Sequence, residues 1–373
     1  MEENLYNSAV YVNTSDFKAN IQSIIHSLPD YIDCIPVLKG NAYGLGLVPL
    51  AKIAAQFPEI HTLAIAQLSE ALTLREAGLT QQLLVLGSMP TAHIDAAVQH
   101  DVTITVGRAG MLSHLAASAK RHGKAAQFQL KIDTGLHRIG INPGQDLSSW
   151  IGEYHQYKEH LHLSGAFTQF SDAETVGNPQ CHSQYQLFLS AVSQLQEAGI
   201  HPPCKHVCNS AASEWLNPLY GDAVRVGRRL LMDSQLHPLG SIREVASWRT
   251  SITCIKHLKA GDTVGYGGKR VLDRDATVAT LAVGYGDGLN ITLAEKGGPA
   301  LVRGKRAKLL GTCMDQSFLD VTGIDCAVDD EVTFFGYDRQ GNFLSSQEVA
   351  QIIGDEGCGL TEALSSRVAR IYE

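Results

Sequence analysis

Short β-prone runs alternate with longer segments of helical periodicity from about residue 30 to residue 230 of the chain. Eight β-prone runs can be distinguished, at residues 33–39, 61–66, 82–87, 101–106, 126–133, 162–170, 205–210 and 222–227. Segments of helical periodicity separate them, for example at residues 48–56, 68–77 and 183–197. Eight strand–helix units within about 200 residues predict a closed (β/α)8 barrel, with a doubly wound open sheet as the alternative. In such a barrel the active site lies at the carboxyl ends of the strands.

After about residue 235 the pattern changes to closely spaced β-prone runs divided by turn signals. These signals lie at residues 259–262, 265–268, 284–288, 303–305 and 338–341. A short helix is predicted at residues 345–354 and a packed tail at residues 360–372. The predicted organisation is therefore an N-terminal strand at residues 1–10 packed with the C-terminal domain, a barrel at residues 11–235, and a mainly β domain at residues 236–373.

The composition is that of an ordinary globular protein. The 373 residues are 44% hydrophobic and 18% charged, which is enough apolar material for a large core. The formal net charge is -8 and no block of lysine or arginine is present, so neither nucleic acid nor an anionic membrane is expected as a partner. Residues 1–10 lack the basic and apolar regions of an export signal, and no run approaches the ~18 apolar residues of a membrane span. We therefore expect a cytoplasmic protein that acts on small molecules.

The eight cysteines are scattered along a chain that is too long to depend on a disulfide framework. Thiols in a reducing compartment are the expected state. The segment at residues 201–208 contains two histidines and two cysteines, but its spacing matches no usual zinc pattern. We therefore predict no metal site.

Lys39 ends an apolar run and precedes a glycine-rich turn. If the strand buries the stem of Lys39, desolvation lowers the pKa of its ammonium group and makes the amine a nucleophile. That is the preparation a Schiff-base lysine needs. The alternative is that Lys39 only marks the point where a core strand reaches solvent.

Other polar residues fall at the ends of later predicted strands. Lys131 lies at the end of the fifth run and Arg138 follows it, Asn209 and Ser210 end the seventh run, and residues 225–227 end the eighth. Barrels of this class commonly bind phosphate after strands seven and eight, through backbone N–H groups that need a close approach. Ser210 and the glycine at position 227 fit that role, although each residue alone would be an ordinary turn residue.

The motifs together resemble the alanine racemase family of pyridoxal-phosphate enzymes over nearly the whole chain. They are Val37-Leu-Lys-Gly-Asn-Ala-Tyr-Gly-Leu-Gly46, Lys131-Ile-Asp-Thr-Gly-Leu-His-Arg-Ile-Gly140, Asn209-Ser-Ala-Ala212, Val264-Gly-Tyr-Gly267, Val283-Gly-Tyr-Gly-Asp-Gly288 and Cys313-Met-Asp-Gln316. The resemblance implies a barrel followed by a β domain, assembled as a head-to-tail homodimer whose active sites combine one chain's barrel with the partner's β domain. It also implies a pyridoxal 5'-phosphate cofactor and the interconversion of L-alanine and D-alanine.

The resemblance assigns a role to individual residues. Lys39 would bind the cofactor covalently, and Lys39 and Tyr266 would be the two acid–base groups on opposite faces of the substrate Cα. The residues implied to bind the cofactor are Lys39, Tyr43, Gln169, Asn209, Ser210, Arg225, Gly227, Arg228 and Ser366, with Arg225 facing the pyridine nitrogen. Those implied to bind substrate are Arg138, Tyr285 and Met314. Lys131 matches a position that is carbamylated in many members of the family.

The chain also departs from the family pattern. Gln169 stands where the family usually has a histidine beside the cofactor ring, and Ser366 stands where it usually has a tyrosine that crowds the substrate side chain. Two arginines common at the family's entrance are absent as well. Because a ring is lost from the pocket wall, serine or another larger amino acid is the alternative substrate to alanine. More remote alternatives are an amino-acid decarboxylase and a pyridoxal-phosphate carrier without catalysis.

Overall fold

The computed structural model describes residues 6–216, 221–232, 242–268, 270–355 and 357–373. These residues form two compact units, described separately below. The barrel unit comprises Lys18–Ala42 and Leu47–Ile242, and the β unit comprises Met1–Phe17, Tyr43–Gly46 and Arg243–Glu373. The expected domain boundary at residues 235 and 236 and the first five residues of the expected N-terminal strand lie outside the described residues. The first described strand is β1 (Ser8–Val12).

Eight parallel strands form the core of the barrel unit. They are β2 (Asp33–Pro36), β3 (Thr62–Ile65), β4 (Gln82–Val85), β5 (Val102–Val106), β6 (Ala126–Lys131), β7 (Leu161–Phe167), β8 (Lys205–His206) and β9 (Ala223–Val226). β3 to β8 form one parallel sheet in sequence order, β9 pairs in parallel with β2, and a parallel bridge from Val37 to Ala64 joins β2 to β3. The ring is completed between β8 and β9, where the Asp222 N–H donates to the Lys205 carbonyl at 2.7 Å. The predicted (β/α)8 barrel is confirmed, and the open sheet is excluded.

Helices connect the strands and bury apolar faces. They are α1 (Thr14–Ser27), α2 (Leu47–Ala54), α3 (Leu68–Glu76), α4 (Ile94–Gln99), α5 (Met111–His122), α6 (Gln145–Tyr157), α7 (Pro179–Glu197) and α8 (Ala212–Trp215). The longest, α7, has Pro179 at its first position and is capped by Asn178, whose side chain accepts from the Gln180 N–H at 3.0 Å. Proline and asparagine suit these positions because the first turn of a helix has N–H groups without partners inside the helix.

Seven of the eight barrel strands end earlier than the sequence predicts. The run at residues 33–39 is a strand only as far as Pro36, and the run at residues 205–210 only as far as His206. The residues beyond these ends leave the sheet ladder, and the polar motifs therefore lie on loops at the carboxyl rim. This is the rim that carries active sites in (β/α)8 barrels.

The β unit contains the remaining strands, joined to β1. They are β10 (Ala246–Leu258), β11 (Thr263–Val264), β12 (Arg270–Val271), β13 (Ala276–Leu281), β14 (Pro299–Val302), β15 (Lys305–Thr312), β16 (Ser317–Asp320), β17 (Glu331–Tyr337), β18 (Phe343–Leu344) and β19 (Ala369–Tyr372). The main sheet has the order β18-β17-β14-β15-β16-β13-β10-β1-β19, and an additional β17–β10 pairing curls six of its strands into a closed ring. β1 pairs antiparallel with β10 and parallel with β19. The short helices are α9 (Ile291–Glu295), α10 (Ser346–Gln351) and α11 (Gly357–Glu362).

Each unit has its own apolar core. In the barrel unit, inward-facing strand residues such as Ile35, Ala64 and Leu84 form a buried cluster. Val264 and Val278 belong to a second cluster in the β unit. Within the described part of the chain, no helix is both long and apolar enough to cross a membrane.

Candidate active site

A left-handed turn follows the first barrel strand. Lys39 begins it, and the backbone φ angles of the next four residues are 63° at Gly40, 56° at Asn41, 53° at Ala42 and 55° at Tyr43. A left-handed conformation costs roughly 1–2 kcal/mol for each residue other than glycine, and such strain persists mostly at functional sites. The Asn41 side chain supports the turn, because its Oδ1 accepts from the Leu47 N–H at 2.8 Å.

The side chain of Lys39 is exposed in the single chain. The expectation that a buried strand would desolvate it is therefore wrong, because the strand ends at Pro36 and the turn carries Lys39 out to the rim. The buried lysine of the rim is instead Lys131.

Arg225, on β9, is the buried cation of the barrel rim, with only 3% of its surface exposed. One terminal nitrogen, Nη1, contacts His206 Nδ1 at 2.7 Å and donates to the His206 carbonyl at 3.0 Å. The other, Nη2, donates to the carbonyls of Thr168 at 2.9 Å and Val207 at 3.0 Å, and to Gln169 Oε1 at 3.1 Å. Burial lowers the pKa of Arg225 to about 10, so the guanidinium stays charged at neutral pH. Its Nε–H has no acceptor among the described residues.

His206, on β8, is a neutral imidazole with a defined tautomer. Burial, followed by the positive charges of Arg225 and Lys131, holds the pKa of His206 well below its usual value. A guanidinium can only donate, so Nδ1 of His206 must accept from Arg225 and carries no proton. The proton is then on Nε2, which donates to Gln129 Oε1 at 2.7 Å. The ring is also stacked on Phe167, with centroids 4.8 Å apart.

Lys131, at the end of β6, is almost completely buried. Its Nζ lies 5.1 Å from the centroid of the Phe167 ring. Burial, with smaller contributions from the positive charges of Arg225 and Arg138, holds the pKa of Lys131 well below its usual value. The shift is toward the neutral amine, which is the nucleophilic form.

The ends of β8 and β9 meet at the position expected to bind phosphate. The Gly227 N–H donates to Ser210 Oγ at 3.0 Å, and Asn209 Oδ1 accepts from the Ala212 N–H at 3.0 Å. Arg228 begins the next turn and forms an ion pair with Glu174 at 2.8 Å. Ser210, Asn209 and Gly227 are therefore brought together by the closure of the barrel.

The expected site residues of the β unit differ in exposure. Tyr43 is buried, whereas the residues Tyr266, Met314 and Tyr285 are 84%, 57% and 42% exposed. Ser366 is exposed as well. Tyr266 lies between Gly265 and Gly267. Both glycines have left-handed conformations, which place the tyrosine on a tight turn.

Three of these residues lie on loops that are fastened to one another. The Tyr285 N–H donates to the Cys313 carbonyl at 2.9 Å, and the next N–H in the chain donates to the Met314 carbonyl at 2.8 Å. Asp287 joins the third loop, because its carboxylate pairs with Arg367 at 3.0 Å and its carbonyl accepts from the Ser365 N–H at 3.0 Å. Tyr285, Met314 and Ser366 thus belong to one connected surface.

Sequence comparisons agree with the division into two units. A family model described as the alanine racemase N-terminal domain matches residues 12–235, and one described as the alanine racemase C-terminal domain matches residues 245–372. The chain belongs to the alanine racemase family.

Relatives and solved structures of the family are similar along nearly the whole chain. Alanine racemase 2 of Caldanaerobacter subterraneus and alanine racemase of Desulforamulus reducens are each 33% identical to it, covering 97% of this chain and 94% and 97% of their own lengths. The structure of alanine racemase from Streptomyces coelicolor has a TM-score of 0.92 at 26% identity and covers 100% of this chain and 99% of its own. That from Bacillus anthracis, with bound L-Ala-P, has a TM-score of 0.90 at 30% identity and covers 99% and 95%. This chain is accordingly an enzyme of the amino-acid racemase class.

Two residues of the rim were not among those expected for an alanine racemase from the sequence. His206 and Gln129 lie in apolar runs, where a polar residue with a satisfied hydrogen bond is the ordinary interpretation. Their partnership depends on the barrel, which places β6 and β8 on either side of β7. The signal in the sequence was that both residues stand within runs that end in functional motifs.

Proposed function

We propose that this enzyme racemises a small amino acid, with alanine as the first candidate, by a two-base mechanism that uses pyridoxal 5'-phosphate bound to Lys39. The observation that carries the proposal is the arrangement of Arg225. Its terminal nitrogens are held by neighbouring groups, and its Nε–H is the donor left for a ligand at the rim.

The described residues fit such a cofactor. Lys39 lies on a strained turn as an exposed residue, and Ser210 and Gly227, which are hydrogen-bonded to each other, lie where phosphate is expected. When bound, pyridoxal phosphate stabilises negative charge that develops at the Cα of an amino acid. A guanidinium at the ring nitrogen opposes protonation of that nitrogen, so less charge is drawn into the ring. A weaker electron sink favours return of the proton to Cα, which is racemisation rather than transamination.

Racemisation needs one proton removed from one face of Cα and one returned to the other face. We assign these tasks to Lys39 Nζ and Tyr266 Oη. The pKa of an ordinary tyrosine is near 10, so Tyr266 needs nearby positive charge or hydrogen bonds to act as a base. Arg138 and the backbone near Met314 would bind the substrate carboxylate and hold Cα between the two groups.

We also propose a homodimer in which Tyr266 of one subunit serves Lys39 of the other. The support is the exposure of Met314 and Tyr285 on one connected surface, together with the 84% exposure of Tyr266, since exposed apolar surface marks interaction sites. Head-to-tail pairing of two identical chains gives each subunit one complete site.

Lys131 is proposed to react with carbon dioxide. Its neutral amine would attack the carbon, a new N–C bond would form, and one N–H proton would leave, giving a carbamate anion. That anion would offset the positive charges of Arg225 and Arg138, both of which act on Lys131. Mass spectrometry of the intact chain at alkaline pH, with and without added bicarbonate, would detect the added mass.

Serine is the second candidate substrate, because Ser366 stands where the family usually has a tyrosine and lies beside the Tyr285 loop. A hydrophobic pocket discriminates one methylene by only roughly 1–3 kcal/mol, so a missing ring is enough to change the preference. An amino-acid decarboxylase would instead release carbon dioxide from its substrate. A pyridoxal-phosphate carrier would convert no amino acid.

The experiment that tests the proposal begins with the absorbance spectrum of the purified chain with pyridoxal phosphate. A chiral assay of the common L-amino acids follows, with release of carbon dioxide measured in parallel. Borohydride reduction and peptide mapping should then place the cofactor mass on Lys39. Finding that mass on Lys131, or on no peptide, would contradict the proposal.

A further inference from the structure

Two glutamine side chains are connected by hydrogen bonds to Arg225, one of them directly and the other through His206. Gln129, on β6, contacts His206 Nε2 at 2.7 Å, and His206 Nδ1 contacts Arg225 at 2.7 Å. Gln169, after β7, accepts from the opposite side of the same guanidinium at 3.1 Å. Four side chains from neighbouring strands of the barrel therefore form one hydrogen-bonded row.

Each bond in this row has a single possible direction. Arg225 has no acceptor, so it donates both to His206 Nδ1 and to the Gln169 oxygen. The neutral His206 ring has only its Nε2–H left to donate, which requires that the oxygen of the Gln129 amide, rather than its nitrogen, faces the ring. An imidazolium would place an Nδ1–H against the donors of Arg225 and is disfavoured by that contact.

The groups around the row also keep it from exchanging protons. Arg138 acts on Arg225, and any positive charge on Lys131 acts on His206, so both residues disfavour a second proton nearby. The thiols of Cys204 and Cys208 lie near enough to Arg225 to interact with its charge, and burial raises their pKa values to about 11 and about 12, so they are neutral. A histidine at the Gln169 position would have introduced a group that titrates near neutral pH, whereas an amide does not.

We propose that Gln129 is a positioning residue, which accepts the Nε2–H of His206 and so holds the imidazole with Nδ1 toward Arg225 and the guanidinium fixed in the base of the site. Gln129 acts through His206 and does not itself touch the ligand. The importance of this position for catalysis rests on the proposed function, but the assignment of the His206 tautomer does not.

The first test uses the full chain labelled with 15N-histidine, with and without pyridoxal phosphate. In the natural chain, His206 should show a protonated Nε2 and an unprotonated Nδ1 at neutral pH, identified by loss of the signals in His206→Asn. Gln129→Met keeps the size of the side chain but removes the acceptor. It should move the His206 signals toward an average of two tautomers and lower kcat by roughly 10- to 100-fold, as when partners that orient a functional imidazole are lost, with KM little changed.

Gln127→Met is the matched control. Gln127 lies two residues earlier on the same strand and is not a partner of His206 or Arg225. It should leave both the spectrum and kcat unchanged.

A second variant, Gln129→Glu, keeps an oxygen acceptor in place and adds a negative charge. The carboxylate raises the pKa of His206, and the imidazolium formed as pH falls carries an Nδ1–H that opposes Arg225. We therefore expect near-natural kcat at alkaline pH and a loss at lower pH that the natural chain lacks, with His206 signals changing over the same range.

Three results would overturn the inference. They are a proton on Nδ1 in the natural chain, unchanged signals and kcat in Gln129→Met, or the same pH profile in Gln129→Glu and the natural chain. The first of these requires no variant at Gln129 to fold. A natural chain with the expected His206 spectrum and no racemase activity would instead contradict the proposed function and leave the tautomer assignment intact.

Discussion

The barrel rim buries several of the side chains that build the proposed site, whereas the loops of the β unit expose most of theirs. On the barrel rim, Arg225, His206 and Lys131 are buried. In the β unit, the residues Tyr266 and Met314 are more than half exposed to solvent. A buried group depends on its neighbours for both position and charge, whereas an exposed group is held mainly by the loop beneath it. The neighbours that hold the barrel half of the proposed site therefore lie within a single chain. The half on the β unit is exposed to solvent in that chain.

The largest expected effect is on the outward half. Tyr266→Phe removes the proposed second acid–base group, which should lower kcat by about 10²–10⁴. The stability of the single chain should not change, because the hydroxyl of an exposed tyrosine loses no buried contact. Rates in both enantiomeric directions, with hydrogen exchange at Cα, would measure the effect, and exchange should fall much further in one direction. Equal and small losses in both directions would remove Tyr266 from the mechanism.

Arg225→Met, unlike Tyr266→Phe, should greatly lower the stability of the single chain. The carbonyls of Thr168 and Val207 and Nδ1 of His206 would lose their donor, and each unsatisfied buried group costs roughly 1–3 kcal/mol. We expect the free energy of unfolding to fall by about 3 kcal/mol or more, measured by denaturant unfolding without cofactor. Arg138→Met is the control, because that exposed side chain on the same rim should change stability by less than about 0.5 kcal/mol. Similar stabilities for the two variants would contradict the distinction drawn for the barrel rim.

The sequence predicted the barrel because parallel strands buried on both faces give apolar runs that turn signals separate. It did not predict the left-handed turn after Lys39, since alanine and tyrosine have no preference for positive φ and the surrounding structure imposes it. Nor did it predict the Gln129–His206 contact, which joins residues 77 positions apart in the sequence. The local sequence pattern predicts the strands, but only closure of the barrel determines which of their side chains are in contact.

Among the β-unit loops, Gly284→Ala should disturb substrate binding more than stability. A Cβ at this position would lie 2.3 Å from the Cys313 carbonyl, so the segment carrying Met314 must move. Overpacking of this kind costs typically about 1–3 kcal/mol. Because the displaced segment carries the proposed carboxylate site, we expect KM to rise and kcat to change less. Gly311→Ala is the matched control, since a Cβ there meets only Phe318 at 3.9 Å. If both variants gave the same KM, the loop contact would not set the carboxylate site.

The smallest expected effect concerns substrate choice. Ser366→Tyr restores a ring to the pocket wall and should lower the ratio of kcat/KM for L-serine to that for L-alanine by roughly tenfold, within the range for small changes in such pockets. Ser366→Ala removes only the hydroxyl and separates the effect of polarity from that of size. An unchanged ratio in Ser366→Tyr would mean that Ser366 does not control selectivity.

Mixing two inactive variants tests most directly whether the outward half of one chain completes the inward half of another. Lys39→Ala and Tyr266→Phe are dissociated together and reassociated, then assayed for racemisation. If sites are shared head to tail, half of the dimers are mixed and one of their two sites is intact, so activity should recover to about one quarter of the natural level. If each site lies within one chain, every site in the mixture lacks one residue. No recovery of activity, with mixed dimers shown to be present, would contradict the shared site.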